Sequence, residues 1–181
     1  MSEGSPSQRL PKSLNPRKFA YQGLSFQGPI DGSALTRLAG AVDSIGDTSA
    51  SLVFSISEDG KMVLEGKIDS LLSYQCQRCM ESMAPEAVSI DFKVAIVRNE
   101  DEAKSLPKSL DPWLVEEDEA NVYYLIEDEL LLSLPVVANH AHACIEASLM
   151  QSGEAVEQEP ETDKTNPFSV LAELKGDKPA S

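Results

Sequence analysis

Residues 52–68, LVFSISEDGKMVLEGKI, decide the fold. Their larger apolar side chains fall on even positions on both sides of a Glu-Asp-Gly turn, which is the period of two of a half-buried strand. A two-residue turn would pair Phe54 with Glu65, whereas a three-residue turn pairs Phe54 with Leu64 and keeps all the apolar side chains on one face. Such a turn needs a left-handed residue, and Gly60 stands at that position. The stretch therefore predicts a long β-hairpin.

The flanking sequence adds one further strand and two helices. Residues 88–97 alternate apolar and polar side chains, which is typical of an antiparallel sheet with one solvated face. Asn15 followed by proline predicts the start of a short helix that ends near Gly23. Asn121 precedes a Leu-rich run that ends at residue 135 and predicts a longer helix.

Two local expectations accompany these elements. On the Leu-rich helix, the apolar face is expected to be buried, with Glu127 and Asp128 pointing outward. Residues 110–119, which carry Trp113, are expected to form a loop. Together the patterns predict an α+β fold: a mainly antiparallel β-sheet with a long hairpin, packed by a few short helices, and with a flexible acidic C-terminal linker.

The chain divides into five segments by composition. The Ser/Pro-rich residues 1–13 are expected to be flexible, and residues 14–150 to form one domain. Residues 151–165, QSGEAVEQEPETDKT, are expected to be a disordered acidic linker. Residues 166–175 predict a short amphipathic helix, and residues 176–181 a flexible tail.

The charge is unevenly distributed. The 181 residues include 15 basic and 30 acidic side chains, a net charge of −15. Residues 1–99 are nearly balanced, with 10 basic and 11 acidic side chains, whereas residues 100–163 hold 2 basic and 17 acidic ones. This charge argues against a protein that coats RNA phosphates. The acidic block either faces a basic protein partner or serves only solubility.

Other features narrow the class of protein. No apolar run approaches the roughly 18 residues of a membrane span, and the N-terminus lacks the apolar stretch of a signal peptide, so we expect a cytoplasmic protein without membrane contact. Three cysteines cannot form a secreted disulfide framework. Phosphate-loop, dinucleotide-binding and nucleophile-elbow motifs are missing, so neither an enzymatic activity nor a small-molecule substrate is expected.

One constellation can carry chemistry. Cys76 and Cys79 form a CxxC pair, and His140, His142 and Cys144 follow in a single stretch. Cys76, Cys79, His140 and Cys144 would complete a tetrahedral zinc site of the structural kind, with His142 as the alternative histidine ligand, since the sequence does not distinguish the two. Two other interpretations stay open, namely reduced thiols without a metal and a CxxC redox pair.

Cationic side chains offer a second kind of candidate site. Arg78 lies inside the CxxC segment, and Arg17 and Lys18 lie in the first helix. These three residues are candidate contacts to RNA phosphates.

Five motifs occur in an order that resembles a known family: NPRKFA from residue 15, GKIDSLLSYQCQRC from residue 66, IEDELLLSLPVV from residue 126, the His/Cys cluster, and NPFSVLAELK from residue 166. They are similar to those of the bacterial YceD family, the large ribosomal RNA subunit accumulation proteins. Some relatives carry a second CxxC-like pair where this chain has His140, His142 and Cys144.

The resemblance implies a non-enzymatic factor in the synthesis, processing or stability of 23S ribosomal RNA, and hence in large-subunit biogenesis. Ribosomal RNA, a large-subunit ribosomal protein or an assembly factor would be its partner. A thiol-redox protein and a zinc-stabilised protein-binding module are the alternatives that the residues leave open.

Overall fold

A computed structural model describes residues 10–150, with the side chains of Leu149 and Met150 excepted. The predicted linker 151–165, helix 166–175 and tail 176–181 lie outside the described residues. The strands and helices follow one another in this order: β1 (Ser13–Leu14), α1 (Pro16–Gln22), β2 (Ser25–Ile30), α2 (Thr36–Ala39), β3 (Ser44–Ile56), β4 (Met62–Ser73), β5 (Glu86–Val97), α3 (Glu100–Lys104), β6 (Asp111–Leu114), β7 (Ala120–Asn121) and α4 (Val122–Ser133).

The chain divides into two units, Met1–Cys144 and Ile145–Ser181. All the elements named above belong to the first unit. The described part of the second contains one short 3-10 helix, Ala147–Met150. None of the helices within residues 10–150 is long and apolar enough to cross a membrane.

Five strands form the main sheet, in the order β2-β3-β4-β5-β6. Neighbouring strands are antiparallel except β5 and β6, which are parallel. In the β3–β4 hairpin Phe54 lies opposite Leu64 and Ile56 opposite Met62, which confirms the register predicted for a three-residue turn. Gly60 has a φ of +74° and takes the left-handed position of that turn. The sequence prediction of an α+β fold is confirmed.

One face of the sheet carries the core. Leu52, Phe54, Leu64, Ile68 and Leu72, all at even positions of the hairpin, are fully buried. Helix α1 packs on β3 and β4, while α4 contacts α2 and β5. Because the hairpin places its largest apolar side chains on this face, the helices cover it. The other face is mostly solvated, although Val63 there is buried.

Helix α1 begins and ends as its sequence predicts. The Asn15 side chain accepts a hydrogen bond from the Lys18 amide, Pro16 occupies the first turn, and Gly23 adopts a φ of +62° at the C-terminal end. The helix turns Phe19 toward the sheet, where its ring lies 5.0 Å from Phe26 and 5.8 Å from Phe54 between centroids. These aromatic contacts fix the helix against the hairpin.

The described residues of the N-terminal segment make contacts with the rest of the domain. Leu10 is buried, and its carbonyl accepts a hydrogen bond from the Tyr123 hydroxyl. Ser13 pairs with Asn121 in the small β1–β7 sheet. The prediction of a flexible segment 1–13 did not include these long-range contacts, which join its described residues to α4 and to Asn121.

The expectation of a loop across residues 110–119 is also wrong in part. Residues Asp111–Leu114 form β6, which pairs in parallel with β5 so that Trp113 lies opposite Ile96. A four-residue edge strand containing a proline has no alternating pattern to reveal it. Its pairing depends on the exposed edge of β5, which no local signal encodes.

Glu127 was expected to point outward from α4, and the structure buries it completely. Its Oε1 accepts hydrogen bonds from the amides of Arg37 at 2.7 Å and Leu38 at 3.3 Å, and its Oε2 from Arg37 Nε at 3.2 Å. These two amides lie in the first turn of α2, where no side chain of the preceding residue caps the helix. Glu127 therefore caps α2 from another helix and satisfies donors that would otherwise be buried without a partner.

Asp128 keeps the predicted exposed position and accepts a hydrogen bond from Arg37 Nη1 at 2.7 Å. The two neighbouring carboxylates therefore differ in burial while sharing one arginine.

This difference predicts unequal effects of removing the two charges. Glu127→Gln places an amide NH₂ opposite either Arg37 Nε or the α2 amides, and should lower the free energy of unfolding by about 2 kcal/mol. The matched variant Asp128→Asn should lower it by less than about 1 kcal/mol, because that ion pair is exposed. Urea denaturation measures both values. Equal losses in the two variants would contradict the capping role.

Candidate metal centre

The CxxC segment forms a tight turn directly after β4. The Met83 amide donates to the Tyr74 carbonyl at 2.8 Å, and the Cys76 amide donates to the Glu81 carbonyl at 2.9 Å. Within this narrow antiparallel ladder, the Met80 amide donates to the Cys76 carbonyl at 2.8 Å. The hairpin therefore continues into a turn that holds Cys76 and Cys79 at its tip.

Met80 allows the chain to reverse immediately after Cys79. Its φ is +62°, and it is the sole residue other than glycine with a positive φ among those the structure describes. A left-handed conformation costs an L-residue roughly 1–2 kcal/mol, so glycine usually fills such positions. Because this segment contains no glycine, its sequence does not indicate the left-handed turn that the structure shows.

Backbone contacts bring the second set of candidate ligands to this turn. Gln77 donates its amide to the Ala138 carbonyl at 2.8 Å. Arg78 reaches across the same gap, and its guanidinium donates to the carbonyls of His140 and His142, both at 3.2 Å. The segment that follows α4 is thereby held against the cysteine turn.

Four side chains converge where the two segments meet. One ligand atom from each of Cys76, Cys79, His140 and Cys144 lies within 4.8 Å of the others. Cys76 Sγ is 3.8 Å from Cys144 Sγ, and Cys79 Sγ is 3.4 Å from His140 Nδ1. All three cysteines are free thiols. The structure therefore contains a Cys₃His group close enough to hold a metal ion.

These separations can be compared with those of a tetrahedral zinc site. Zn–S bonds of about 2.3 Å at tetrahedral angles place two sulfurs about 3.8 Å apart, and a sulfur about 3.6 Å from an imidazole nitrogen. The distance between Cys76 and Cys144 matches the first value, and that between Cys79 and His140 is within about 0.2 Å of the second. The donor set is also one that structural zinc sites use. The residues present fit the ion.

The structure also distinguishes the two histidines. His140 directs Nδ1 at Cys79, whereas His142 is exposed and places its ring beside that of His140, tilted by 32° and with 4.9 Å between centroids. His142 does not belong to the group of converging ligand atoms. Sequence spacing alone treats the two as equivalent.

The thiols differ in acidity. Burial by itself raises the pKa of Cys76, but the backbone N–H groups of Cys79, His140 and Arg78 outweigh burial and lower the pKa to about 5. Burial raises the pKa of Cys144, and its contacts with Cys79 and Cys76 raise it further. Several thiolates side by side repel one another unless a cation lies between them, which is the situation that a metal ion relieves.

The three candidate RNA contacts lie in different environments. Lys18 is exposed. Arg17 is 9% exposed and donates to the carbonyls of Val115 and Glu117, so its guanidinium holds the chain beyond β6. Arg78 is half-buried and binds the two histidine carbonyls described above. The burial of Arg17 does not fit a role in RNA contact.

Sequence reasoning missed what assembles the site, although it identified the four converging side chains. The Ala138, His140 and His142 carbonyls accept the hydrogen bonds that join the two segments. Any residue supplies a backbone carbonyl, so no pattern of side chains marks these positions.

Comparison with known proteins gives a consistent result. The profile of the family described as large ribosomal RNA subunit accumulation protein YceD matches residues 64–175. A protein of that same name from Haemophilus influenzae is 32% identical over 169 residues, covering 92% of this chain and 97% of the relative. No solved structure matches the chain.

Met80 provides a test of the turn. Its side chain is 63% exposed, so replacing it by glycine changes mainly the backbone. Met80→Gly should raise the free energy of unfolding by up to about 1 kcal/mol, because it removes the left-handed strain. The matched variant Glu81→Gly, at an exposed neighbour with an ordinary φ, should lower it by about 0.5–1 kcal/mol. Urea denaturation in one buffer measures the free energy of unfolding of both variants. A loss of stability in both would contradict left-handed strain at Met80.

Proposed function

Because this chain belongs to the YceD family of large ribosomal RNA subunit accumulation proteins, we propose that it supports the synthesis, processing or stability of 23S ribosomal RNA in the cytoplasm. The observation that carries the proposal is the similarity to the H. influenzae protein along almost the full length of both chains. The partner is ribosomal RNA itself, a large-subunit ribosomal protein or an assembly factor. The protein acts by binding and catalyses no reaction.

A binding role agrees with the chemistry of the Cys₃His group. Four protein ligands would complete the coordination sphere of a tetrahedral ion and leave no position for a substrate or an activated water. The sequence also lacks the phosphate-binding and nucleophile motifs of common enzymes.

We further propose that Cys76, Cys79, His140 and Cys144 hold a zinc ion. The ion would join the turn after β4 to the segment after α4, a sequence separation of more than 60 residues that Gln77 and Arg78 already bridge. Such a site contributes folding free energy, because it exists only when both segments are in place.

The alternative of a CxxC redox pair finds less support. An attacking thiol must be accessible to its substrate, and reactive cysteines are partly exposed. Cys76 is fully buried, with Cys144 against its sulfur and Asn139 Oδ1 at 3.9 Å. This environment suits a ligand better than a nucleophile.

The two histidines provide a matched test of metal binding. The full chain and its His142→Ala variant should each carry one zinc by native mass spectrometry and elemental analysis, whereas His140→Ala should bind zinc at least tenfold more weakly. Chelation should lower the melting temperature of the full chain and of His142→Ala, because the ion links two segments. Equal zinc content in the two histidine variants, or none in the full chain, would refute this site.

The ribosomal role is tested in cells. Deletion of the gene should lower the ratio of 23S to 16S ribosomal RNA and reduce free and assembled large subunits in gradient profiles. A plasmid copy of the chain, and equally its His142→Ala variant, should restore both, while His140→Ala should restore them less. An unchanged ratio and normal profiles in the deletion strain would overturn the proposed function.

A further inference from the structure

A groove lies between β6, the chain that follows it and the exposed side of α4. Its volume is about 630 Å³. One wall is the chain that follows β6, which the Arg17 guanidinium holds by donating hydrogen bonds to the carbonyls of Val115 and Glu117. The opposite wall is a row of α4 side chains one turn apart, Tyr124, Asp128 and Leu132.

Apolar side chains are exposed in this groove. Leu114 is 46% exposed, Tyr124 57% and Leu132 80%, and Trp113 contributes a half-buried indole beside them. Single exposed apolar residues are ordinary, but a cluster lining one concave surface is typical of a site that binds another molecule.

The groove is rimmed by carboxylates. Six acidic side chains line it, and no lining residue is Lys, Arg or His: Asp111, Glu116, Glu117, Glu119, Asp128 and Glu129. Asp128 pairs with Arg37 from outside the groove, and Glu119 accepts a hydrogen bond from Ser13.

The other four carboxylates have no ion-pair partner among the described residues. Within residues 10–150, Asp111, Glu116, Glu117 and Glu129 form no ion pair with a lysine or arginine. Burial, Asp111 and Asp128 raise the pKa of Glu129, so negative charge there is poorly compensated. A concave surface with one sign of charge attracts ligands of the opposite sign.

We propose that this groove docks a Lys/Arg-rich segment of another protein, which places an aliphatic side chain against Trp113, Leu114 and Leu132 and its cations among the carboxylates. This inference deepens the proposed function, since it rests on a protein partner of the class named there. The groove would be the contact surface through which the acidic block of residues 100–163 meets its partner.

Charge argues against the other occupants. RNA phosphates would meet six carboxylates, of which Asp128 is paired with Arg37, and no lysine or arginine lines the groove to receive them. A second copy of this chain carries a net charge of −15, and residues 151–163 of the chain itself contain acidic side chains and no basic ones, so both would have to approach the groove against electrostatic repulsion. Residues 164–181 hold three basic and two acidic side chains, and this net charge of +1 complements the carboxylates far less than a Lys/Arg-rich segment does.

Trp113 makes the groove directly observable, because it is the single tryptophan of the chain. We would titrate the full chain with the peptide (Lys-Arg-Leu)₄, which lacks tryptophan and tyrosine, at about 0.15 M salt, a concentration at which distant charges are screened. The peptide should shift the emission of Trp113 with saturation. A (Glu-Gln-Leu)₄ peptide and a 12-nucleotide RNA should leave the emission unchanged.

Matched variants separate the groove from general charge attraction. The triple variant Asp111→Asn, Glu116→Gln, Glu129→Gln should weaken peptide binding at least tenfold. The triple variant Glu58→Gln, Asp59→Asn, Asp91→Asn removes the same charge from exposed positions elsewhere and should weaken binding less than twofold. Leu132→Ser should weaken binding about threefold or more without a change of charge. Thermal unfolding confirms that each variant is folded.

Three outcomes would overturn the inference: no saturable shift with the basic peptide, equal weakening by the two triple variants, or a shift of Trp113 emission by the RNA. The assay is independent of ribosomal RNA levels. If the deletion strain has normal ribosomal RNA while the peptide still binds, the proposed function fails and the groove assignment stands. If the deletion strain has reduced 23S ribosomal RNA but the peptide does not bind, the groove assignment alone fails.

Discussion

The register of the β3–β4 hairpin is the constraint on which the remaining structure depends. Pairing of Phe54 with Leu64 through the left-handed Gly60 puts the large apolar side chains of both strands on one face. A slip of one residue would turn the apolar side chains of one strand to the solvated face, place polar ones such as Glu65 beside Phe54, and disrupt the surface that α1 and α4 cover. The same register fixes where β4 ends, and thus where the cysteine turn begins.

The candidate metal centre relies on this framework from two directions. Its CxxC half extends the hairpin, and its His/Cys half follows α4, which Glu127 anchors to α2. Gln77 and Arg78 then join the two halves through backbone carbonyls. The hydrogen bonds and the four ligand atoms therefore meet at one place, and an ion bound there would add to the stability of the contact.

Predictions from the sequence succeeded where the signal was local and failed where it was not. The hairpin turn, the start of α1 at Asn15 and the helix that follows Asn121 depend on residues within a few positions of one another, and all three were predicted correctly. Burial of Glu127 depends on amides about 90 residues away, and an acidic residue on a helix is exposed by default. The strand β6 and the buried Arg17 likewise depend on partners that their own sequence does not indicate.

The sequence by itself determined the pairing within the hairpin, the starts of α1 and α4, and the cysteines and histidines from which a metal site can be built, because spacing and side-chain chemistry specify these locally. Only the tertiary structure decided that His140 rather than His142 faces the cysteines, since adjacent positions of an irregular segment differ only in what packs against them. It likewise decided that the acidic residues after β5 line a groove with Trp113. Charge can be counted along the chain, but a concave surface exists only after distant elements have packed together.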